Sequence, residues 1–205
     1  MYTGTIILIR HGRTESNALG RYCGAGTDEG LSEEGIRECN EKKESIRRII
    51  GDESVQVFSG PLRRAKETAS LLFPYVPIIT VEKLTETDFG EFEGKTFGQL
   101  SGDQRYQAWV DSGGTLPFPG GDARSDFIGR SMEGFREVVR LSKGAKESVA
   151  VCHGGNIMAV MSSLTGEEYY DFRVENLGGY VINIREDDER ISVISYDRID
   201  CGHGT

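Results

Sequence analysis

Thr5-Ile6-Ile7-Leu8-Ile9 is a run of five residues without a charge, and it leads straight into Arg10-His11-Gly12. An apolar, β-branched run with no polar alternation reads as a strand buried on both faces, the kind found inside parallel sheets. His11 then stands at the carboxyl end of a central strand, where open α/β sheets bind their ligands. On a regular strand Arg10 and His11 would point to opposite faces. Both serve one pocket if the strand ends there and Gly12 lets the backbone turn sharply.

The pattern continues outward from this strand. Ser32 offers an N-cap, Glu33 and Glu34 a favourable first turn, and Ile36, Cys39, Lys43, Ile46 and Ile50 follow at helical spacing. Residues 55–58 read as a second short strand. Ser59-Gly60-Pro61 stops it and opens a helix with proline in the first helical position, its buried stripe being Leu62, Ala65, Ala69 and Leu72. A third strand is expected at 78–81, then an acidic, glycine-containing stretch over 84–94. Residues 97–121 are the least regular part and end in Pro117-Phe118-Pro119-Gly120-Gly121.

Ile128, Met132, Phe135 and Val139 mark another amphipathic helix, residues 148–152 a fourth buried strand, and Gly154-Gly155 the entry to a helix over 156–164. Residues 180–184 and 191–196 flank Glu186-Asp187-Asp188-Glu189 as a hairpin. The β-α-β-α alternation predicts an α/β fold: a three-layer α/β/α sandwich whose central sheet is mostly parallel, with an antiparallel hairpin at one edge. A chain of 205 residues fits one such domain, spanning 1–205.

Composition narrows the function. Hydrophobic residues make up 37% of the chain, enough for a packed core, and no apolar run is long enough to cross a bilayer. The N-terminus has no basic segment followed by an apolar one, so a cytoplasmic protein is expected. A net charge of −9 argues against nucleic acid as partner, and an anionic substrate would need a local arginine cluster to hold it. Cys23, Cys39, Cys152 and Cys201 are scattered and read as reduced thiols.

Of the three histidines, His11 and His153 each follow a buried strand and precede glycine, whereas His203 carries no such context. Around His11 stand Arg10, Arg13 and Asn17, groups that grip phosphate through guanidinium forks and an amide. Such cations would repel a divalent ion, and no metal-ligand spacing accompanies the histidines. Arg63 and Arg64 lie in the first turns of the helix after the second strand, a place suited to anions, but spacing does not say which one faces the pocket. Nor does it choose an acid among Glu86, Asp88, Glu91 and Glu93.

Leu8-Ile9-Arg10-His11-Gly12-x-Thr14-x-x-Asn17 resembles the signature of the histidine phosphatase superfamily, in its phosphoglycerate mutase-like branch. Ser59-x-Pro61-Leu62-x-Arg64-Ala65-x-x-Thr68-Ala69 agrees with it, as does Leu84-x-Glu86-x-x-x-Gly90-x-x-Glu93-Gly94. Pro119-Gly120-Gly121-Asp122 and Val151-Cys152-His153-Gly154-Gly155 follow in order, so that the motifs span residues 5 to 160.

The resemblance implies His11 as nucleophile, Glu86 as acid and base, and His153 as the third catalytic residue. It implies a phosphate site of Arg10, Asn17, Arg64 and Gly154, with Cys23 and Gly24 touching substrate and no metal or cofactor. Asp122 stands where many relatives have glutamate, and catalysis is not expected to depend on it. The implied reaction is hydrolysis of a small phosphate monoester through a phosphohistidine, by a monomer or homodimer. The short substrate-loop region and the segment Arg21-Tyr22-Cys23-Gly24-x-x-Thr27-Asp28 are similar to α-ribazole phosphatases, and sugar-phosphate and broad-specificity phosphatases share most of these features. A broad small-phosphate substrate range is expected, with α-ribazole 5′-phosphate the leading specific candidate. A phosphoglycerate mutase-type transfer is the first alternative. Mutases of this family carry a longer insertion with an arginine pair, whereas residues 94–119 hold only Arg105. A non-catalytic phosphate-binding protein is the second, and such descendants usually lack one of the two histidines.

Overall fold

The computed structural model describes residues 1–51, 55–188 and 190–200, so Glu189, Cys201 and His203 lie outside the described residues. In chain order the strands are Tyr2–Arg10 (β1), Gln56–Ser59 (β2), Ile78–Thr80 (β3), Glu147–Cys152 (β4), Gly179–Asp187 (β5) and Arg190–Ile199 (β6). The α-helices are Glu15–Ala18 (α1), Glu33–Ile50 (α2), Arg63–Leu72 (α3), Phe97–Leu100 (α4), Gln104–Asp111 (α5), Arg124–Leu141 (α6) and Gly154–Thr165 (α7).

The strands form one sheet in the order β3-β2-β4-β1-β5-β6. β3, β2, β4 and β1 run parallel, while β5 is antiparallel to β1 and β6 to β5, closing one edge with a hairpin. Strand alternation sends the side chains of β1 to both faces. Ile6 and Leu8 pack with Phe135 and Val138 of α6 and Ile157 and Val160 of α7. Ile7 and Ile9 pack with Cys39 and Ile46 of α2 and Ala65 and Ala69 of α3. These are the three layers expected, and each fully buried isoleucine contributes roughly 1.5–3 kcal/mol to holding them together.

Three local expectations differ. The buried stripe of α2 runs through Gly35 rather than Ile36, which is 41% exposed. A β-carbon at Gly35 would come within 2.1 Å of Arg13 O, so the helix approaches the loop after β1 where only glycine fits. Pro61 does not start α3, whose N-cap is Leu62. Residues 97–121 contain α4 and α5, both capped by side chains: Thr96 with Gln99, and Asp103 onto the N–H groups of Arg105 and Tyr106. These helices are short and bury only Leu100 and Tyr106, so no long stripe announces them. With Tyr22, Phe89, Phe92, Tyr106, Trp109 and Phe118 they form a separate aromatic cluster. Among the described residues, no helix is long and apolar enough to cross a membrane.

The parallel register positions the site. Arg10 is level with Cys152, and His11 N–H donates to Cys152 O at 2.9 Å, so the residues just beyond the two strands, His11 and His153, are neighbours. On the other side β1 meets β5 at Gly179, where a β-carbon would fall 1.8 Å from Leu8 O. Gly179→Ala is expected to force these strands apart and lower stability by about 1–3 kcal/mol, read as a fall in the urea midpoint. An unchanged midpoint would show that the sheet yields at this point.

Candidate active site

Three parallel strands end side by side, and each passes a functional side chain to the same place: His11 after β1, His153 after β4, and Arg64 from the helix after β2. All are almost shielded from solvent, at 3%, 0% and 0% exposure, and Glu86 joins them at 7%. The two imidazole rings lie 5.1 Å apart, tilted by 60°.

His11 is held in one tautomer. Its Nδ1 lies 2.7 Å from Gly12 O, a carbonyl that only accepts, so Nδ1 carries the proton and Nε2 keeps a free electron pair. Gly12 has no left-handed dihedral to supply. What it supplies is space, since a β-carbon there would meet Cys39 Sγ at 2.8 Å and Leu31 at 3.2 Å. Its N–H donates to Thr68 Oγ1 at 2.9 Å, and Thr68 donates in turn to Arg64 O at 2.7 Å, tying the β1 loop to α3.

Arg64 is the buried arginine of the pair. Its guanidinium donates to Thr27 O at 2.7 Å, Gly24 O at 3.1 Å and Cys23 O at 3.3 Å, while Nε has no partner among the described residues. Arg63 is at the surface, paired with Glu67 at 2.6 Å. Arg10 donates to Val174 O at 2.8 Å, and its Nε also lacks a partner, as do both ring nitrogens of His153. Buried polar atoms are nearly always bonded. Four that are not, in two arginines and a histidine around one imidazole, make a place for an acceptor-rich anion.

Asn17 Oδ1 accepts from Thr14 N–H at 3.2 Å and from Asn176 Nδ2 at 3.1 Å, which orients the amide and leaves its NH2 end to donate. Asn176 also donates to His11 O at 2.9 Å. Gly154 opens α7 beside the Arg10 side chain, though a β-carbon there would find 3.6 Å of room, so the tight position is the next one. At Gly155 a β-carbon would stand 2.2 Å from Glu86 Oε1.

Glu86 accepts from Thr87 N–H at 2.8 Å and from Gly155 N–H at 3.3 Å. Burial raises its pKa above the ordinary carboxylate value, against those two bonds and the charges of Arg64 and Arg10. The other acids of its loop are occupied elsewhere: Asp88 with Gly90 N–H, Glu91 with Arg105, Glu93 with Gly26 N–H and Thr27 Oγ1. Asp122, on which catalysis is not expected to depend, is attached to this loop. It grips Arg130 at 2.6 and 3.2 Å and accepts from Asp88 N–H at 2.9 Å, while Arg130 reaches Glu86 O at 3.4 Å. Asn156 adds a second tie, accepting from His153 N–H at 3.3 Å and donating to Thr85 O at 3.0 Å.

A cavity of about 400 Å³ opens from Arg10, Glu86, Thr87, Gly154 and Gly155 onto aromatic walls that include Tyr22, Trp109, Phe118 and Tyr169. Cys23 and Gly24 do not line it. They act on Arg64 through their carbonyls, and the Cys23 thiol points to Glu29 Oε1 at 3.2 Å, its pKa pushed up to about 12 by burial. Among the described residues, no group of three or more His, Cys, Asp or Glu side chains could hold a metal ion.

Residues 6–197 match the model of the histidine phosphatase superfamily, branch 1. The chain belongs to that superfamily. It is 32% identical over 168 residues to the metal-independent phosphoserine phosphatase of Arabidopsis thaliana, covering 78% of this chain and 68% of the relative. The phosphoserine phosphatase of Entamoeba histolytica, solved in complex with phosphoserine, is 27% identical with a TM-score of 0.76, covering 94% of this chain and 96% of that one. The alpha-ribazole phosphatase of Shigella flexneri shares the fold, with a TM-score of 0.74 at 21% identity over 98% and 100% of the two chains. Such relatives make the protein a phosphoric monoester hydrolase of the histidine phosphatase family.

Sequence reasoning left Thr68, Asn156, Asn176 and Arg130 without a role in this phosphatase. Thr68 lies inside a recognised motif, and Asn156 stands just after one, three residues beyond His153, the spacing of a capping pair. Asn176 has no local pattern, because His11 is distant in sequence, and Arg130 gains its role by joining nearby Asp122 to distant Glu86.

Burial and the charges of Arg10 and Arg64 hold the His11 pKa well below the ordinary imidazole value; burial, Arg64, His11 and Arg10 do so for His153. When pH falls, the unfolded chain therefore takes up these protons first. The stability these groups confer is complete above the unfolded imidazole value and is lost as pH drops through it toward the folded values. The slope is about 1.4 kcal/mol per pH unit for each histidine. Glu86, with its raised pKa, acts in the opposite sense, so the contribution is isolated by a difference. Between about pH 7.5 and pH 5.5, His153→Gln should show a shallower acid decline in urea stability than the parent. Parallel declines would mean that His153 takes up its proton as readily in the folded protein as in the unfolded chain.

Proposed function

We propose that this phosphatase hydrolyses small-molecule phosphate monoesters by double displacement through His11. The observation that carries the reading is the setting of His11: its Nδ1 donates to the Gly12 carbonyl, and burial beside two guanidiniums with unpartnered N–H groups favours the neutral ring with a free pair on Nε2. Arg10, Arg64, Asn17, His153 and the N–H of Gly154 hold the phosphoryl oxygens and offset the charge that spreads over them. The free pair on Nε2 forms a bond to phosphorus as the ester P–O bond breaks. The departing oxygen takes a proton from Glu86, whose pKa burial raises above the ordinary carboxylate value. The imidazole becomes cationic when phosphorylated, and its Nδ1–H bond to Gly12 O strengthens as that charge appears. Water then attacks phosphorus, gives its proton to the Glu86 carboxylate, and the P–N bond breaks to release phosphate.

Water is the acceptor in this reading. Arg105, the only arginine in residues 94–119, is paired at the surface with Glu91 and Asp103 and brings no cation to a second phosphoester. The aromatic walls fit a flat or apolar leaving group, and α-ribazole 5′-phosphate is one such ester. Phosphoserine, named for the Arabidopsis and Entamoeba relatives, brings an ammonium beside its carboxylate, and among the described residues the one carboxylate lining the cavity is Glu86. We place the enzyme in the cytoplasm, where its free thiols Cys23, Cys39 and Cys152 fit a reducing compartment. It would act there as one catalytic domain over 1–205, monomer or homodimer, on small phosphate esters rather than nucleic acid.

His11→Ala is expected to lower kcat by about 10³-fold or more while retaining affinity for inorganic phosphate, because the arginines remain. Chelator should leave the parent enzyme's rate unchanged. Appreciable turnover by the variant would remove His11 as nucleophile, and loss of activity in chelator restored by a divalent ion would require a metal.

A further inference from the structure

The cavity is charged in the opposite sense to the protein around it. The chain carries a net charge of −9, yet among the described residues the cavity is lined by three arginines, Arg10, Arg124 and Arg173, and a single carboxylate, Glu86. Arg10 belongs to the phosphate end. Arg124 is committed to the wall: it donates to Gly113 O and to Tyr170 OH at 2.8 Å, and lies 5.0 Å over the rings of both Tyr169 and Tyr170.

Arg173 is different. Its guanidinium stands 5.6 Å over the Tyr170 ring and has no hydrogen-bond acceptor or carboxylate partner among the described residues. Its backbone is fixed, because the carbonyl accepts from Arg198 at 3.0 Å and the next residue's carbonyl receives Arg10 at 2.8 Å. A guanidinium held over an aromatic face keeps its N–H groups free to donate, and such a fork grips an oxyanion. Val174 O, bound to Arg10, thus separates the phosphate end of the cavity from this second cation by one residue.

We propose that Arg173 receives a second anionic group on the leaving alcohol, so that the preferred substrates are phosphate esters with a flat or apolar body and a further negative charge. The proposal rests on the hydrolase reading above. It deepens it by ranking substrates: an ester with a further anionic group first, a neutral one such as α-ribazole 5′-phosphate below it, and an ester whose only further charge is an ammonium last.

The test is phosphate release from three matched esters, 3-carboxyphenyl phosphate, phenyl phosphate and 3-(aminomethyl)phenyl phosphate. The carboxylated ester should exceed phenyl phosphate in kcat/KM by about 10-fold, the worth of one charge-assisted contact, and the cationic ester should fall below both. In Arg173→Gln the ratio of the first two should approach one, chiefly through KM, and Arg173→Lys should restore part of it. No anion preference in the parent, or an undiminished ratio in Arg173→Gln, overturns the proposal. Release from none of the esters would instead mean that the hydrolase reading has failed. The anion preference is then judged by titrating the matching phosphonates against the fluorescence of Trp109, the chain's only tryptophan and a lining residue. Equal affinities of the carboxylated and neutral phosphonates would still overturn it.

Discussion

Two imidazoles and two guanidiniums share one water-poor site, and the phosphatase depends on only the guanidiniums being charged there. Four positive charges at such range, without water, would be strongly repulsive. Arginine does not give up its proton under ordinary conditions, so the histidines are the groups that yield, and burial drives them the same way. Neutrality is also what a nucleophilic imidazole requires. The repulsion that would destabilise the fold if the histidines were charged is therefore the same effect that keeps the His11 electron pair available.

Placing four such groups together demands a stiff frame. The parallel register of β1 and β4 makes neighbours of His11 and His153 without any loop having to fold back. Arg64 is anchored by three carbonyls from the 23–27 loop, so part of its positive charge is met by dipoles rather than by a carboxylate that would compete with phosphate. Glu86 arrives on a loop fastened by Asp122 with Arg130 and by Asn156, and seats its carboxylate against the N–H of Gly155, where no side chain intervenes. Its burial opposes ionisation while two N–H donors and two arginines favour it, so both protonation states are within reach of one acid.

The sheet was legible because strands buried on both faces have an unambiguous pattern, and the apolar run of β1 with its abrupt Arg10-His11-Gly12 end placed the site as well. The hairpin was legible too, although its strands extend beyond the expected 180–184 and 191–196 to Gly179–Asp187 and Arg190–Ile199. Periodicity failed where packing is not periodic. The stripe of α2 turned on the close approach of Gly35 to Arg13, and α4 and α5 bury few residues. Within the site, histidines and arginines were visible as scarce residue types in telling places. Thr68, Asn176 and Arg130 were not, since common polar residues acquire meaning only from partners tens of residues away. Arg173 was overlooked for the same reason: its chemistry lies in facing a cavity, which no spacing encodes.

The central claim is that the Gly12 carbonyl fixes the His11 proton on Nδ1, so that Nε2 makes the bond to phosphorus. Rapid quenching of the enzyme during turnover, under conditions that preserve phosphoramidates, followed by peptide mapping and phosphorus NMR of the labelled histidine, tests it directly. The account predicts one phosphoryl group on His11, bonded at Nε2. Phosphorus at Nδ1, or on His153, would contradict it.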